Sequence, residues 1–293
     1  MLSEIKFPLV IIYCDGNKEI GFGHIRRTTS LAENLRKYGI PVVISGLSEY
    51  SISYLPRVEF STSKLKVVVF DSMIGVGDLI LSFQNKGIIT VTLDWFGNIV
   101  PDINIIVFPH FEPKALLKSY VGFKNIIIRD EILNLPKIPI ADVFKNVVIT
   151  LGGGDILHQS EIAAEILNSK GYNVTVIKGP LAEVKVESLK YRTLINPTNF
   201  PDILNSCDWV ITNGGGCLFE ALYLGKPTFV LPQTELESRI ALYARQSNYI
   251  VGIGMENLIK LDSHKFKSVS EKSIKLVDGK GLSRIVSIIK QLV

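Results

Sequence analysis

Short apolar runs alternate along this chain with amphipathic stretches of helical period. The run Leu9-Val-Ile-Ile-Tyr13 is continuous, β-branched and bounded by turn residues, which predicts a strand covered on both faces in a parallel sheet. Beyond it Ile25, Leu31, Ala32, Leu35 and Tyr38 recur near helical spacing. Arg26, Arg27, Glu33, Arg36 and Lys37 mark the polar side, and Gly39 closes the helix. A strand over 41–45 completes a βαβ unit. Further buried strands are predicted over 66–71 and 88–94, each ending in an aspartate, and over 103–108 and 125–128.

Residues 134–141 hold two prolines in a weakly patterned stretch and form the expected linker. The pattern then restarts, with strands over 146–151, 173–178, 208–212 and 228–232 and helices over 160–169, 218–224 and 239–247. The expected fold is α/β: two Rossmann-like, doubly wound domains, residues 1–135 and 136–293, facing one another across a cleft. Ligands are then expected at the carboxyl ends of the strands.

A length of 293 residues suits two domains, and 47% hydrophobic with 20% charged residues suits ordered cores. The net charge of +4 agrees with an anionic small-molecule ligand and is too small to argue for nucleic acid. Cys14, Cys207 and Cys217 are odd in number and lack CxxC spacing, so neither a disulfide framework nor a zinc site is indicated, and a cytoplasmic location is expected. The first apolar run stops at Asp15, too short to span a membrane. The basic region from Lys265 to Lys290 reads as a solvated face, with peripheral membrane attraction as the alternative.

Three glycine-bearing turns each follow a strand and open a helix: Gly21-Phe22-Gly23, then Gly152, Gly153 and Gly154, then Gly214, Gly215 and Gly216. Glycine admits close approach, and a helix N-terminus offers free N–H groups to phosphate. A tight structural turn explains any single one equally well. None fits GxxxxGK[ST] or a good GxGxxG.

His24 stands where the first turn meets its helix, a setting for a general base as well as for a binding or capping residue. Asp15, Asp71 and Asp94 follow strands that would end at one edge of the first sheet. Carboxylates there can orient the imidazole or contact sugar hydroxyls; each also suits a helix cap or turn. Glu220, six residues after Gly214, sits within reach of a ribose, or is an ordinary solvated helix residue. No metal motif is present and no cofactor is expected.

The segment from Asp15 through Gly21-Phe-Gly-His24 to Arg27 resembles the opening of the bacterial hydrolases that remove UDP from UDP-2,4-diacetamido-2,4,6-trideoxy-β-L-altrose in pseudaminic acid synthesis. The likeness continues through Val69-Phe-Asp71, Leu93-Asp94, Ile128-Arg-Asp-Glu131, the segment 149–155 and the segment 211–216 to Glu220. The stretch 277–285 also resembles spore-coat and surface-polysaccharide proteins. This resemblance implies the GT-B fold, with UDP on the second domain, Gly152–Gly154 and Gly214–Gly216 near its phosphates and Glu220 on its ribose. His24 matches the family's active-site histidine, and Asp15 and Asp94 match recurring acidic positions. The implied reaction is inverting attack of water at the anomeric carbon of a UDP-sugar, without metal. A UDP-sugar glycosyltransferase and an inactive sugar-nucleotide-binding protein are the alternatives. Five positions depart from the family pattern: Tyr13, Met73, Trp95 and the pair Leu236-Glu237. They would surround the sugar, so the nucleotide is better supported than the sugar's identity.

Overall fold

The computed structural model describes residues 6–16, 23–55, 60–72, 75–106, 119–153, 155–179 and 189–293. The chain forms two compact units, Met1–Arg129 together with Gly279–Val293, and Asp130–Asp278. The first holds β1 (Val10–Cys14), β2 (Val42–Gly46), β3 (Val67–Asp71), β4 (Ile89–Leu93), β5 (Ile103–Ile106) and β6 (Ser119–Val121). The second holds β7 (Asn146–Thr150), β8 (Asn173–Lys178), β9 (Arg192–Ile195), β10 (Trp209–Thr212), β11 (Thr228–Val230) and β12 (Gly252–Ile253). Helices α1 (Gly23–Lys37), α2 (Glu49–Tyr54) and α3 (Gly77–Gln84) belong to the first unit. The second carries α4 (Asp130–Leu133), α5 (Gln159–Ser169), α6 (Phe200–Ser206), α7 (Gly216–Tyr223), α8 (Glu235–Gln246), α9 (Met255–Ile259) and α10 (Phe266–Ser273). The last helix, α11 (Gly281–Lys290), returns to the first unit.

Among the described residues each sheet has six strands, all paired in parallel, in the orders β2-β1-β3-β4-β5-β6 and β12-β11-β10-β7-β8-β9. The direction of winding reverses between β1 and β3 in the first sheet and between β7 and β10 in the second. At such a reversal the connections leave on opposite faces, and the loops part to leave a crevice at the carboxyl ends of the strands.

The continuous apolar runs are explained by two-sided burial. Val10, Ile12 and Cys14 pack with Val67, Val69 and Val91 under α1 and α11, while Ile11, Val68 and Phe70 meet Ile80 and Phe83 of α3. In the second unit Val147, Ile149, Val176, Trp209 and Ile211 form a core with Ala163, Ala164 and Leu167 of α5.

Two element expectations change, and a third falls partly outside the described residues. The apolar residues 125–128 are not a strand: a 3-10 turn, Phe123–Asn125, leads into extended chain in which Ile126 and Ile128 are buried. Gly122, at φ +122°, turns this segment out of the sheet after β6, so it buries side chains without joining the ladder. The helix expected over 239–247 begins earlier, at Glu235, where Thr234 Oγ1 accepts from the Glu237 N–H at 3.2 Å. Of the strand expected over 103–108, β5 covers Ile103–Ile106, and residues 107 and 108 lie outside the described residues.

The sequence reading groups residues 279–293 with the second half, whereas in the structure they pack with the first. Leu282, Ile285, Val286 and Ile289 of α11 are buried in the core beneath α1. Gly281 permits this docking, because a Cβ there would stand 1.9 Å from the Ile126 carbonyl oxygen. Among the described residues no helix is long and apolar enough to cross a membrane.

Candidate functional site

The register of the first sheet determines which side chains meet. Cys14 pairs with Asp71 across β1 and β3, so the turn after β1 and the last residue of β3 share the winding reversal. Helix α1 starts at Gly23 and presents His24 and Arg27 three residues apart, on one face. His24 Nδ1 lies 2.5 Å from Asp71 Oδ1. Arg27 Nε donates to Asp71 Oδ2 at 2.5 Å, and its Nη2 pairs with Asp71 Oδ1. Arg27 Nη1 reaches Asp94 Oδ2 at 3.1 Å. Asp71 is fully buried, and Asp94 nearly so.

Burial by itself would raise the Asp71 carboxyl. The charge of Arg27, followed by that of His24 and their hydrogen bonds, outweighs it and holds Asp71 down at about 2. Arg27 is in turn kept charged by Asp71 and Asp94 against the cost of its own burial. An ionised Asp71 only accepts hydrogen bonds, so in a neutral imidazole the proton sits on Nδ1 and Nε2 keeps its lone pair.

Of the three aspartates singled out in the sequence, Asp71 holds the histidine and Asp94 braces the arginine. Asp94 does so with a left-handed backbone, φ +55°, uncommon for a residue with a side chain and concentrated at functional sites. Asp15 makes a different set of bonds: its Oδ1 accepts from Gly16 N at 2.8 Å and from Ser48 Oγ at 2.5 Å. Its buried Oδ2 has no hydrogen-bond partner among the described residues. Gly21 lies outside the described residues, and a Cβ on Gly23 would meet open space. Arg27 is the residue the sequence reading missed as a site member; the signal was its i, i+3 spacing from His24. Two departures prove structural: Tyr13 stacks on Phe70, ring centroids 5.6 Å apart, and Trp95 Nε1 donates to Ile99 O at 2.7 Å. Met73 lies outside the described residues.

In the second unit the turns after β7 and β10 adjoin at the winding reversal. Gly152 and Gly214 take φ +75° and +105°. A Cβ on Gly152 would be 3.0 Å from Asn213 Nδ2, and one on Gly179, after β8, would be 2.3 Å from the Gly152 carbonyl oxygen. Glycine is required here for space as well as for angle. Gly154 lies outside the described residues.

The two helix N-termini differ. At α5 the buried Asp155 accepts from Gln159 N at 2.8 Å, and from Ser160 N at 2.9 Å and Ser160 Oγ at 2.5 Å, so a protein carboxylate already meets that helix start. Lys178, buried at the end of β8, pairs with Glu161 at 3.1 Å and donates to Ser160 Oγ at 2.9 Å. At α7 the N-cap is Gly215 without a side-chain cap, and no acid stands in the first turn. That start remains open to an anion. Glu220 is half-buried on α7, one turn beyond Gly216. Glu237, on α8, accepts from Asn213 Nδ2 at 2.6 Å and from Gln233 N at 2.8 Å, joining the turns after β10 and β11.

Two parallel six-stranded sheets with flanking helices define a GT-B fold, and solved structures agree. The chain superimposes on MurG of Acinetobacter baumannii with a TM-score of 0.68 at 11% identity, covering 97% of this chain and 100% of that one. Spinosyn forosaminyltransferase SpnP gives 0.67 at 13% identity, with 96% and 98% covered. MnaA of S. aureus, solved with UDP, gives 0.63 at 11% identity, with 96% of each chain covered.

In sequence, the uncharacterized protein MJ1062 of Methanocaldococcus jannaschii is 24% identical over 97% of this chain, which spans 66% of that protein's length. The spore coat polysaccharide biosynthesis protein SpsG of Bacillus subtilis is 20% identical, with 96% of this chain and 97% of SpsG covered. A Helicobacter pylori protein named pseudaminic acid cytidylyltransferase and UDP-2,4-diacetamido-2,4,6-trideoxy-beta-L-altropyranose hydrolase is 31% identical over 94 residues. That match covers 32% of this chain and 18% of the other. No family model matches the chain.

Proposed function

We propose that this chain is a sugar-nucleotide enzyme of surface-polysaccharide or nonulosonic acid synthesis that hydrolyses a UDP-linked amino-deoxy sugar. The observation that carries the reading is the His24–Asp71–Arg27 arrangement: an imidazole with its Nδ1 proton held by an ionised carboxylate, and Nε2 left as a base. His24 Nε2 takes a proton from water as the water oxygen bonds to the anomeric carbon. The bond from that carbon to the UDP oxygen breaks, the electron pair leaves with UDP, and the configuration inverts. The second unit holds the diphosphate at the open α7 N-terminus beside Gly214, Gly215 and Gly216, with Gly152 and Gly153 adjoining and Glu220 toward the ribose. Asp15, whose buried Oδ2 has no hydrogen-bond partner among the described residues, belongs to the sugar side in this reading; Asp94 and Arg27 keep Asp71 in place.

A UDP-sugar glycosyltransferase is the second reading, favoured by the likeness to a forosaminyltransferase. His24 would then deprotonate an acceptor hydroxyl by the same geometry. Incubation with a panel of UDP-sugars, with and without acceptors, separates the two, with UDP release and anomeric configuration followed by NMR. The expected result is release of UDP without acceptor, reduced about 10²-fold or more in His24→Ala. Release untouched by that substitution overturns the base assignment, and turnover only with an acceptor replaces the hydrolase by the transferase.

A further inference from the structure

The residue at the second unit's ligand edge that the proposed reaction leaves unused is Glu237. Its Oε1 accepts from Asn213 Nδ2 and its Oε2 from Gln233 N. The same Oε1 lies 3.7 Å from where a Cβ on Gly215 would project, and Glu237's own Cβ and carbonyl oxygen lie 3.3 and 3.2 Å from that of Gly214. The carboxylate is therefore packed against the turn that opens α7, whose own first turn contains no acid. A diphosphate held on the α7 N–H groups would lie a few ångströms from it, in surroundings less polar than water, where like charges repel strongly.

We propose that Glu237 links nucleotide binding to a proton: a nucleoside diphosphate binds at the α7 turn with Glu237 protonated and neutral. This rests on the reading of that turn as the diphosphate site. In its acid form Glu237 still accepts from Asn213 through its carbonyl oxygen, and its O–H becomes a donor, so the turn keeps its brace while losing the opposing charge.

Among the described residues, the surrounding ionisable groups leave this role to Glu237. From the β7–α5 segment come Asp155, engaged by the start of α5, and His158, exposed in solvent. On its own helix Glu235 and Arg239 pair with each other at the surface. The β10–α7 and β11–α8 turns present the neutral Asn213, Gln233 and Thr234, and α7 adds Cys217 and Glu220. Burial pushes the Glu237 carboxyl up to about 7, against the N–H groups of Gln233 and Thr234 and the Asn213 amide, so the proton is taken up near neutrality.

The test measures UDP affinity of the full chain between pH 6 and 9 for the wild type and Glu237→Gln, using the ratio of the two so that the ionisation of UDP itself cancels. At pH 6 the two dissociation constants should agree within about threefold. Above about pH 7 the wild type should weaken relative to the variant by about tenfold per pH unit, as its competent fraction falls. Calorimetry of the wild type alone, in buffers of different ionisation heat, should show uptake of about one proton per UDP at pH 8. Parallel affinity profiles together with no proton uptake overturn the linkage while leaving the diphosphate site standing. Absence of UDP binding by both proteins at every pH overturns the site and the linkage together.

Discussion

Asp71 joins two tasks in one side chain: its carboxylate orients His24 and neutralises Arg27 from a fully buried position. Asp71→Asn keeps the shape and removes the charge, leaving Arg27 without its main counter-ion. Chemical denaturation should show a loss of about 3–5 kcal/mol, the usual cost of breaking a buried pair, and turnover should fall about 10²–10⁴-fold. The sign of the pH dependence follows from the depressed value. Asp71 contributes its stability above the ordinary aspartate range near 4 and loses it as pH falls through about 2. Glu237 has the opposite sign: raised to about 7, it binds a proton in the folded state that the unfolded chain has already lost. Stability should therefore drop between about pH 4.5 and 7, by on the order of 1–2 kcal/mol after allowance for residual solvent contact, then level off. Melting curves of wild type and Glu237→Gln that run parallel across this window would rule out the raised value.

At the scale of elements, the glycines of the α7 turn divide into two kinds. Gly214, at φ +105° and against the Glu237 backbone, is required by the fold, and Gly214→Ala should cost about 1–3 kcal/mol. A Cβ on Gly216 would meet open space, so Gly216→Ala should change stability by no more than about 0.5 kcal/mol. If that space receives the diphosphate, the same substitution weakens UDP binding; thermal melts with and without UDP check both outcomes. The sequence presents the glycine turns after β7 and β10 as equivalents, since each is a strand, three glycines and a helix. It does not reveal that Asp155 folds back onto the start of α5 while α7 stays uncapped, because capping depends on where a side chain turns. Tyr13 and Trp95 show a related limit: as departures near the site they suggest sugar contacts, yet alternation along β1 and the packing of α3 turn them toward Phe70 and its neighbours.

For the whole molecule, the return of α11 to the first unit makes that unit discontinuous in sequence. Four buried apolar side chains, Leu282, Ile285, Val286 and Ile289, contribute roughly 1.5–3 kcal/mol each, a sum comparable to the stability of an ordinary domain. Truncation after Asp278 should therefore abolish hydrogen-exchange protection in β1 and β3 while leaving β7 and β10 protected. Equal protection in both units would count against the docking of α11. The strands and the two-unit plan are legible in the chain because a parallel strand covered on both faces must be apolar along its whole length, and Val10 and Ile11 or Val68 and Val69 satisfy opposite layers. The glycine turns, His24 and the strand-final aspartates are legible for a similar reason: their backbone positions follow from local pattern. Only the tertiary structure decided that Asp71 rather than Asp15 holds His24, that Arg27 joins them, that Glu237 braces the α7 turn and that residues 279–293 complete the first unit. These depend on register across β1 and β3, on the order of winding and on which faces meet, and such long-range contacts leave no local period in the sequence.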